Sequence, residues 1–204
     1  MKTNLRVLCG ALLAMAVPAL CGQTLLNVDF GAGQASRQTG FAAAGQSTND
    51  FWNLYRHYDP RYVPGSPTVA DGRLADLRFA DGSPAPAVLV VSNAPGVWGN
   101  ATGHAMMDSY LFSLNGSNMT VTIRELGAGR YHFYLYGHAD PDVAGEQNSR
   151  FTLRSGTNVF GPMAPAGFGA WKAHLPWEEG RQHVVFRDVE TWPGTPVVIE
   201  VAAG

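Results

Sequence analysis

Alternating polar and apolar residues predict short β-strands along most of the chain after residue 23. The clearest are residues 119–126 and 130–138, which are separated by a tight loop from Gly127 to Gly129. A period of two places successive side chains on opposite faces of a sheet, and glycine accepts the positive φ that tight turns need. We therefore expect these two segments to pair as an antiparallel β-hairpin.

The second of these strands has two different faces. One face carries apolar side chains and is predicted to point into the core: Tyr131, Phe133 and Leu135. The other face is a row of polar-tipped rings: His132, Tyr134, Tyr136 and His138. Such a row either binds a ligand or lies under a covering loop.

The rest of the chain continues the same pattern of short strands and turns. Further predicted strands cover residues 24–30, 87–92, 108–113, 150–154, 157–160, 182–189 and 196–201. Prolines and glycines predict irregular backbone over residues 59–66 and 93–107. No segment shows a sustained 3.6-residue period with a helix cap. About eight or nine short antiparallel strands predict an all-β sandwich or barrel.

The N-terminus has the pattern of a secretory signal peptide over residues 1–22. Lys2 and Arg6 precede an apolar run of 14 residues from Val7 to Leu20, which is too short for a comfortable membrane span. An alternative is a lipoprotein signal that ends at Cys21. We expect residues 23–204 to form a single domain, secreted or at the cell surface, with no membrane span once the signal is removed.

The charge pattern argues against nucleic acid as a partner. Charged residues make up only 15% of the chain. Without Lys2 and Arg6, 12 basic residues stand against 16 acidic ones, a net charge of −4. No basic cluster is visible along the sequence, so nucleic acid binding is not expected.

Several segments together resemble a group of uncharacterised secreted bacterial modules similar to galactose-binding-like jelly rolls. The segments are residues 26–31, 49–53, 91–100, 107–111, 133–139 and 147–149. The resemblance covers most of the chain after the leader. It implies a jelly-roll β-sandwich of the kind shared by many carbohydrate-binding modules, and it implies no established activity.

The chain end departs from that pattern, because such modules usually finish with one more strand. Here the strand-like run from Val197 to Val201 is followed only by Ala202, Ala203 and Gly204. The sequence therefore predicts that a closing strand is missing and that an edge is exposed. An exposed edge would allow strand pairing with another domain.

The ring row leads directly to the polar loop that follows residue 138. Rings spaced about 6.6 Å apart on one strand face can stack on sugar rings, and amide and carboxylate groups bind sugar hydroxyls. A neutral glycan is the expected ligand, bound by Tyr134, Tyr136, His138, Asp140 and Asn148. The alternative is that loops around Trp52 and Trp98 cover the rings.

The same loop is also the densest set of oxygen ligands in the chain. Asp140, Asp142 and Glu146 are residue types that hold calcium, so they are candidate ligands of a structural calcium ion. The alternative is that the aspartates cap turns beside Pro141 and Gly145.

Catalytic motifs are absent from the sequence, which contains neither Gly-x-Ser-x-Gly nor His-Glu-x-x-His. We therefore expect a non-catalytic module, glycan-binding or adhesive. The alternatives are a purely structural module of a larger extracellular protein and a glycan-active hydrolase or lyase. An enzyme would need a carboxylate pair from Asp108, Asp142, Glu178 and Glu179, although the last two read as a solvated turn. His183 reads as a structural histidine.

Overall fold

The computed structural model describes residues 24–31, 38–55, 62–64, 70–99, 105–112, 118–137, 148–166 and 176–203. The predicted leader, residues 1–22, lies outside these ranges. The described part of the chain contains thirteen β-strands and one short 3₁₀ turn, Ala105–Met107. The prediction of an all-β protein is confirmed.

The thirteen strands are numbered in chain order. They are β1 (Asn27–Phe30), β2 (Trp52–Tyr55), β3 (Tyr62–Pro64), β4 (Gly72–Leu74), β5 (Val88–Ser92), β6 (Gly96–Gly99), β7 (Ser109–Phe112), β8 (Met119–Arg124), β9 (Gly129–Tyr136), β10 (Ser149–Ser155), β11 (Asn158–Met163), β12 (His183–Thr191) and β13 (Val197–Ala203).

Seven strands form one large antiparallel sheet in the order β11-β10-β13-β8-β5-β4-β3. Its inner face consists of rows of apolar residues that lie side by side on neighbouring strands. One such row runs from Leu153 through Ile199 and Val121 to Val91. All four are buried in the core, and burial of such side chains stabilises the fold by about 1.5–3 kcal/mol each.

Three pairs of strands complete the structure: β9–β12 and β6–β7 are antiparallel, and β1–β2 is parallel. Val184, Phe186 and Val189 of β12 pack into the same core as the inner face of the large sheet. Tyr131, Phe133 and Leu135 of β9 pack against this core too, as predicted for that face. The architecture is sandwich-like.

The predicted hairpin between residues 119–126 and 130–138 is wrong. Strand β8 pairs with β13 and β5, so both of its edges are occupied, and β9 pairs with β12. Glu125 adopts φ 58°, and Leu126 turns into the core. Thr191 Oγ1 then donates a hydrogen bond of 2.7 Å to the Gly127 carbonyl. The loop is therefore an arch that carries the chain from the large sheet to β9.

The predicted exposed edge at the chain end is also wrong. Strand β13 lies in the interior of the large sheet, between β10 and β8. Ala202 and Ala203, which we expected to follow the last strand, pair with Arg150 and Ser149. The edges of this sheet are β11 and β3. Short side chains did not end the strand, because the neighbouring strand supplied hydrogen bonds up to residue 203.

The structure has more strands than the eight or nine that the sequence predicts. Both β3 and β6 lie in regions that we expected to be irregular. Strand β3 contains Pro64, which fits its position at an edge where one side needs no partner. Strand β6 forms by pairing with β7, and no alternation within Gly96–Gly99 indicates this contact.

Candidate functional site

The outer face of the β9–β12 pair carries a cluster of aromatic side chains. Tyr136 lies opposite His183, with ring centroids 5.4 Å apart, and the ring of Tyr134 lies 6.0 Å from that of His183. Trp177 meets Tyr136 edge-on at 5.2 Å. We call Tyr134, Tyr136, Trp177 and His183 the ring cluster.

Within the ring cluster, Tyr136 is held in place by a covering loop. The backbone N–H of Ala43 donates a hydrogen bond of 2.9 Å to the Tyr136 hydroxyl oxygen. Burial raises the pKa of this hydroxyl far above its usual value, so Tyr136 stays neutral. The hydrogen bond to Ala43 therefore fixes the position of the Tyr136 ring. Tyr134 makes no corresponding hydrogen bond to the described part of this loop.

Side-chain hydrogen bonds of Trp52 and Asp50 hold the loop that contacts Tyr136. Trp52 Nε1 donates a hydrogen bond of 2.9 Å to the Gly40 carbonyl. The buried carboxylate of Asp50 accepts hydrogen bonds of 2.6 Å from Gln46 N and 2.8 Å from Ser47 N. For Tyr136, this arrangement corresponds to the alternative in which a loop around Trp52 covers the rings.

His183 is the most unusual member of the ring cluster. Only 3% of its surface is exposed, and its Nδ1 atom has no hydrogen-bond partner in the described part of the structure. Burial lowers the pKa of the imidazole, against the opposing influence of Glu179. The ring is therefore neutral at pH 7 and offers one donor and one acceptor. A buried polar atom without a partner is rare, and a ligand hydroxyl would complete it.

An exposed ion pair adjoins the cluster. Arg187 Nη1 lies 2.7 Å from Glu179 Oε1, and its Nη2 contacts Glu179 Oε2 as well. A β-bulge in β12 places Arg187 here: Asp188 adopts φ 53°, and its N–H donates to His132 Nδ1 at 3.1 Å. The bidentate pair gives the outer face a polar group that can bond to hydroxyls.

Of the predicted ligand-binding residues in the segment after β9, Asn148 lies among the described residues. Its side chain is buried, and its amide donates a hydrogen bond of 2.8 Å to the Pro165 carbonyl. Next to it, Ser149 N donates a hydrogen bond of 2.6 Å to the Gly137 carbonyl. A Cβ at position 137 would lie 2.7 Å from Phe151 Cζ, so a larger residue there would require a neighbouring side chain to shift. Asn148 thus links the residue before β10 to the segment after β11, and its role in ligand binding stays a prediction.

The remaining predicted site residues lie outside the described residues. These are His138, Asp140, Asp142 and Glu146. In the part of the chain that the structure describes, no group of three or more His, Cys, Asp and Glu side chains could hold a metal ion.

The sequence did not point to Trp177 or Arg187, and it indicated a solvated turn at Glu179 and a structural role for His183. One signal was present. Residues 183, 185 and 187 alternate on β12, which predicts that His183 and Arg187 share a face. Their approach to Tyr134 and Tyr136 depends on the pairing of β12 with β9, which no local pattern shows.

A separate buried acid lies at Asp29 of β1. The side chain is 3% exposed, and its Oδ2 accepts a hydrogen bond of 3.1 Å from Gln38 N. Burial raises the pKa of Asp29 to about 6; the charge of Asp108 adds to the increase, and the Gln38 bond opposes it. Because the group is enclosed, its titration affects stability directly.

Replacing Asp29 with asparagine is expected to stabilise the protein at neutral pH. Folding raises the pKa of Asp29 from 3.8 to about 6, so its favourable contribution is present below pH 3.8 and is lost as pH rises through about 6. Asp29→Asn should therefore raise the free energy of unfolding near pH 8 by roughly 2 kcal/mol, with the gain vanishing near pH 4. Urea unfolding at both pH values measures this. An equal effect at both would contradict the assignment.

No family model, curated protein or solved structure matches this chain. The described residues include no helix that is long and apolar enough to cross a membrane.

Proposed function

We propose that this protein is a secreted or cell-surface, non-catalytic module that binds a neutral glycan on the outer face of the β9–β12 pair. The observation that carries the proposal is the unpartnered Nδ1 of the buried His183 beside the ring of Tyr134. An aromatic surface next to an unsatisfied neutral hydrogen-bonding group is what a sugar needs, because sugars combine apolar C–H faces with hydroxyls.

Each member of the site has a distinct role in this proposal. Tyr134 stacks against a sugar ring. Because His183 Nδ1 is buried in the free protein, the ligand must displace part of its cover before a sugar hydroxyl bonds to it. Tyr136 is a positioning residue, because the Ala43 contact fixes its ring beside the imidazole. The Glu179–Arg187 pair supplies further hydrogen bonds at the rim.

The resemblance to galactose-binding-like modules supports the proposal at the level of fold. Under this proposal, the sandwich-like arrangement is a jelly roll, and the leader directs the chain out of the cell. The predicted loop residues His138 and Asp140 lie outside the described residues, and their part in ligand binding stays a prediction from the sequence. A structural calcium ion bound by Asp140, Asp142 and Glu146 remains a prediction from the sequence.

One observation favours a second candidate, a purely structural module. The covering of Tyr136 by the loop at Ala43 is the arrangement expected if the rings only support that loop. The two candidate functions differ in the role of Tyr134. In the glycan-binding module it contacts the ligand, and in the structural module it contacts no ligand.

The proposal is tested by binding of the protein to an array of neutral glycans. Tyr134→Ala should weaken binding about tenfold or more, because it removes the stacking surface. Tyr110→Ala is the matched control, since Tyr110 is an exposed tyrosine on β7. Far-UV circular dichroism and thermal melting of both variants check the fold.

A second readout follows the imidazole itself. Binding should shift the ¹⁵N resonance of His183 Nδ1, because the ligand completes its hydrogen bonding. Loss of binding in the Tyr110 control to the same degree would place the site elsewhere. Failure of the parent protein to bind any neutral glycan would favour the structural module.

A further inference from the structure

The outer face of the large sheet collects arginines that are far apart in the sequence. Leu74, Ile123, Phe151 and Leu153 point into the core, so their neighbours on the same strands point outward. The exposed neighbours are Arg73 on β4, Arg124 on β8, and Arg150 and Arg154 on β10. We call this surface the arginine face.

The strand register places these arginines at the two ends of a continuous row. Arg73 lies opposite Val90, and the row continues through Thr122 and Val198 to Arg154. Four strand spacings separate the two arginines, a distance of roughly 19 Å. Along β10, Arg150 and Arg154 lie about 13 Å apart on the same side. The positive charges thus frame a broad, flat area of sheet.

The charge of this face is opposite to that of the whole protein. Among its outward residues on β4, β5, β8, β10 and β13, Glu200 is the single acid, and Asn118 Nδ2 donates a hydrogen bond to it. Glu125 follows Arg124 at one end. After the leader the chain has a net charge of −4, yet four of its 12 basic residues lie on this face.

The arginines of this face are not used in the ion pairs of the described structure. Those pairs join Arg130 to Glu190, Arg181 to Glu178 and Arg187 to Glu179. A guanidinium that is not neutralised within the protein is available for bidentate contact with a carboxylate or sulfate.

The outward positions between the arginines carry hydroxyl groups beside the half-buried Val90 and Val198. Threonines and a serine occupy outward positions there: Thr120, Thr122, Thr152 and Ser92. The same positions carry no aromatic ring on which nucleic acid bases could stack. The exposed apolar residue here is Val159 of β11, which is too small a surface for insertion into lipid.

From this combination we propose that the arginine face binds an anionic polysaccharide, with the guanidinium groups on its carboxylates or sulfates and the threonine hydroxyls on its neutral oxygens. Charge complementarity selects the partner class. This binding surface is independent of the ring cluster, which lies on the other layer, so either can fail without the other.

The experiment measures binding of the protein to immobilised polygalacturonate and dextran sulfate, with neutral dextran for comparison. We expect binding to both polyanions that weakens about tenfold or more between about 50 and about 500 mM NaCl, and no binding to dextran. Arg73→Gln combined with Arg154→Gln should weaken binding about tenfold at low salt.

A matched double variant distinguishes the effect of the arginine face on binding from the effect of net charge. Arg130→Gln with Arg181→Gln also removes two positive charges, but from residues already paired with glutamates. This variant should bind within about twofold of the parent. An equal loss of polyanion binding in both double variants would overturn the proposal. Failure of the parent protein to bind one or both of the polyanions would overturn it as well.

Two further comparisons decide the class of partner. Single-stranded DNA and vesicles containing phosphatidylglycerol carry phosphate charges without the hydroxyl-rich backbone. Tighter binding to either than to the polysaccharides would overturn the proposal. Tyr134→Ala should leave polyanion binding unchanged; if it abolishes that binding, the two surfaces are not independent and the proposal fails.

Discussion

Asn53→Ala should destabilise the protein by about 4 kcal/mol, because three backbone groups lose the hydrogen bonds that this buried side chain makes to them. Asn53 is fully buried on β2. Its amide donates to the carbonyls of Asn27 at 2.9 Å and Arg78 at 2.7 Å, and its oxygen accepts from Arg78 N at 2.9 Å. One side chain thus joins β1, β2 and the segment before β5. Alanine offers none of the three groups a hydrogen-bond partner.

Urea unfolding measures this effect through the midpoint and the slope of the transition. Asn158→Ala is the matched control, because Asn158 is exposed at the start of β11. The control should change the free energy of unfolding by no more than about 0.5 kcal/mol. If Asn53→Ala were as mild as the control, the three hydrogen bonds would not be a main support of the fold.

Asp50→Ala should destabilise the protein by about 3 kcal/mol and release the loop over the ring cluster. The carboxylate of Asp50 is buried and accepts bonds from Gln46 N, Ser47 N and Ser47 Oγ. Hydrogen bonds to a charged group contribute about 1.5–3 kcal/mol, and alanine removes all three of them. Without this anchor, the Ala43 N–H should bond to Tyr136 only part of the time.

Hydrogen exchange at residues 40–46 reports on the loop directly, and urea unfolding reports on stability. Asp81→Ala is the matched control: Asp81 also accepts hydrogen bonds from a serine N–H and hydroxyl, those of Ser83, but it is exposed. That variant should leave the exchange of residues 40–46 as in the parent. Unchanged exchange in Asp50→Ala would mean that Trp52 alone holds the loop.

Much of the candidate site could be predicted from the sequence at the level of single strands. Alternation in residues 130–138 correctly separated the core face at Phe133 from the ring face at Tyr134 and Tyr136. The covering loop was one of two stated alternatives. The contribution of His183 could not be predicted, because it reaches the rings only through the register of β12 against β9.

The predicted hairpin is wrong for the same reason, because strand pairing is set by the tertiary structure and not by a local pattern. Gly127 to Gly129 contains the residues of a tight turn, and the two flanking segments alternate as paired strands do. In the structure Leu126 is buried, and β8 finds β13 and β5 as neighbours. Burial of the arch and of both faces of the sandwich outweighs the local preference for a hairpin.

The sequence by itself determined that this protein is all-β, where most of its strands lie, and which side chains share a strand face. These properties are local, because alternation and turn residues act within a few positions. Only the tertiary structure decided which strands are neighbours, and so brought His183 to Tyr136 and aligned Arg73 with Arg154 across five strands. Every strand offers the same backbone N–H and C=O groups, so pairing is selected by the packing of the whole core.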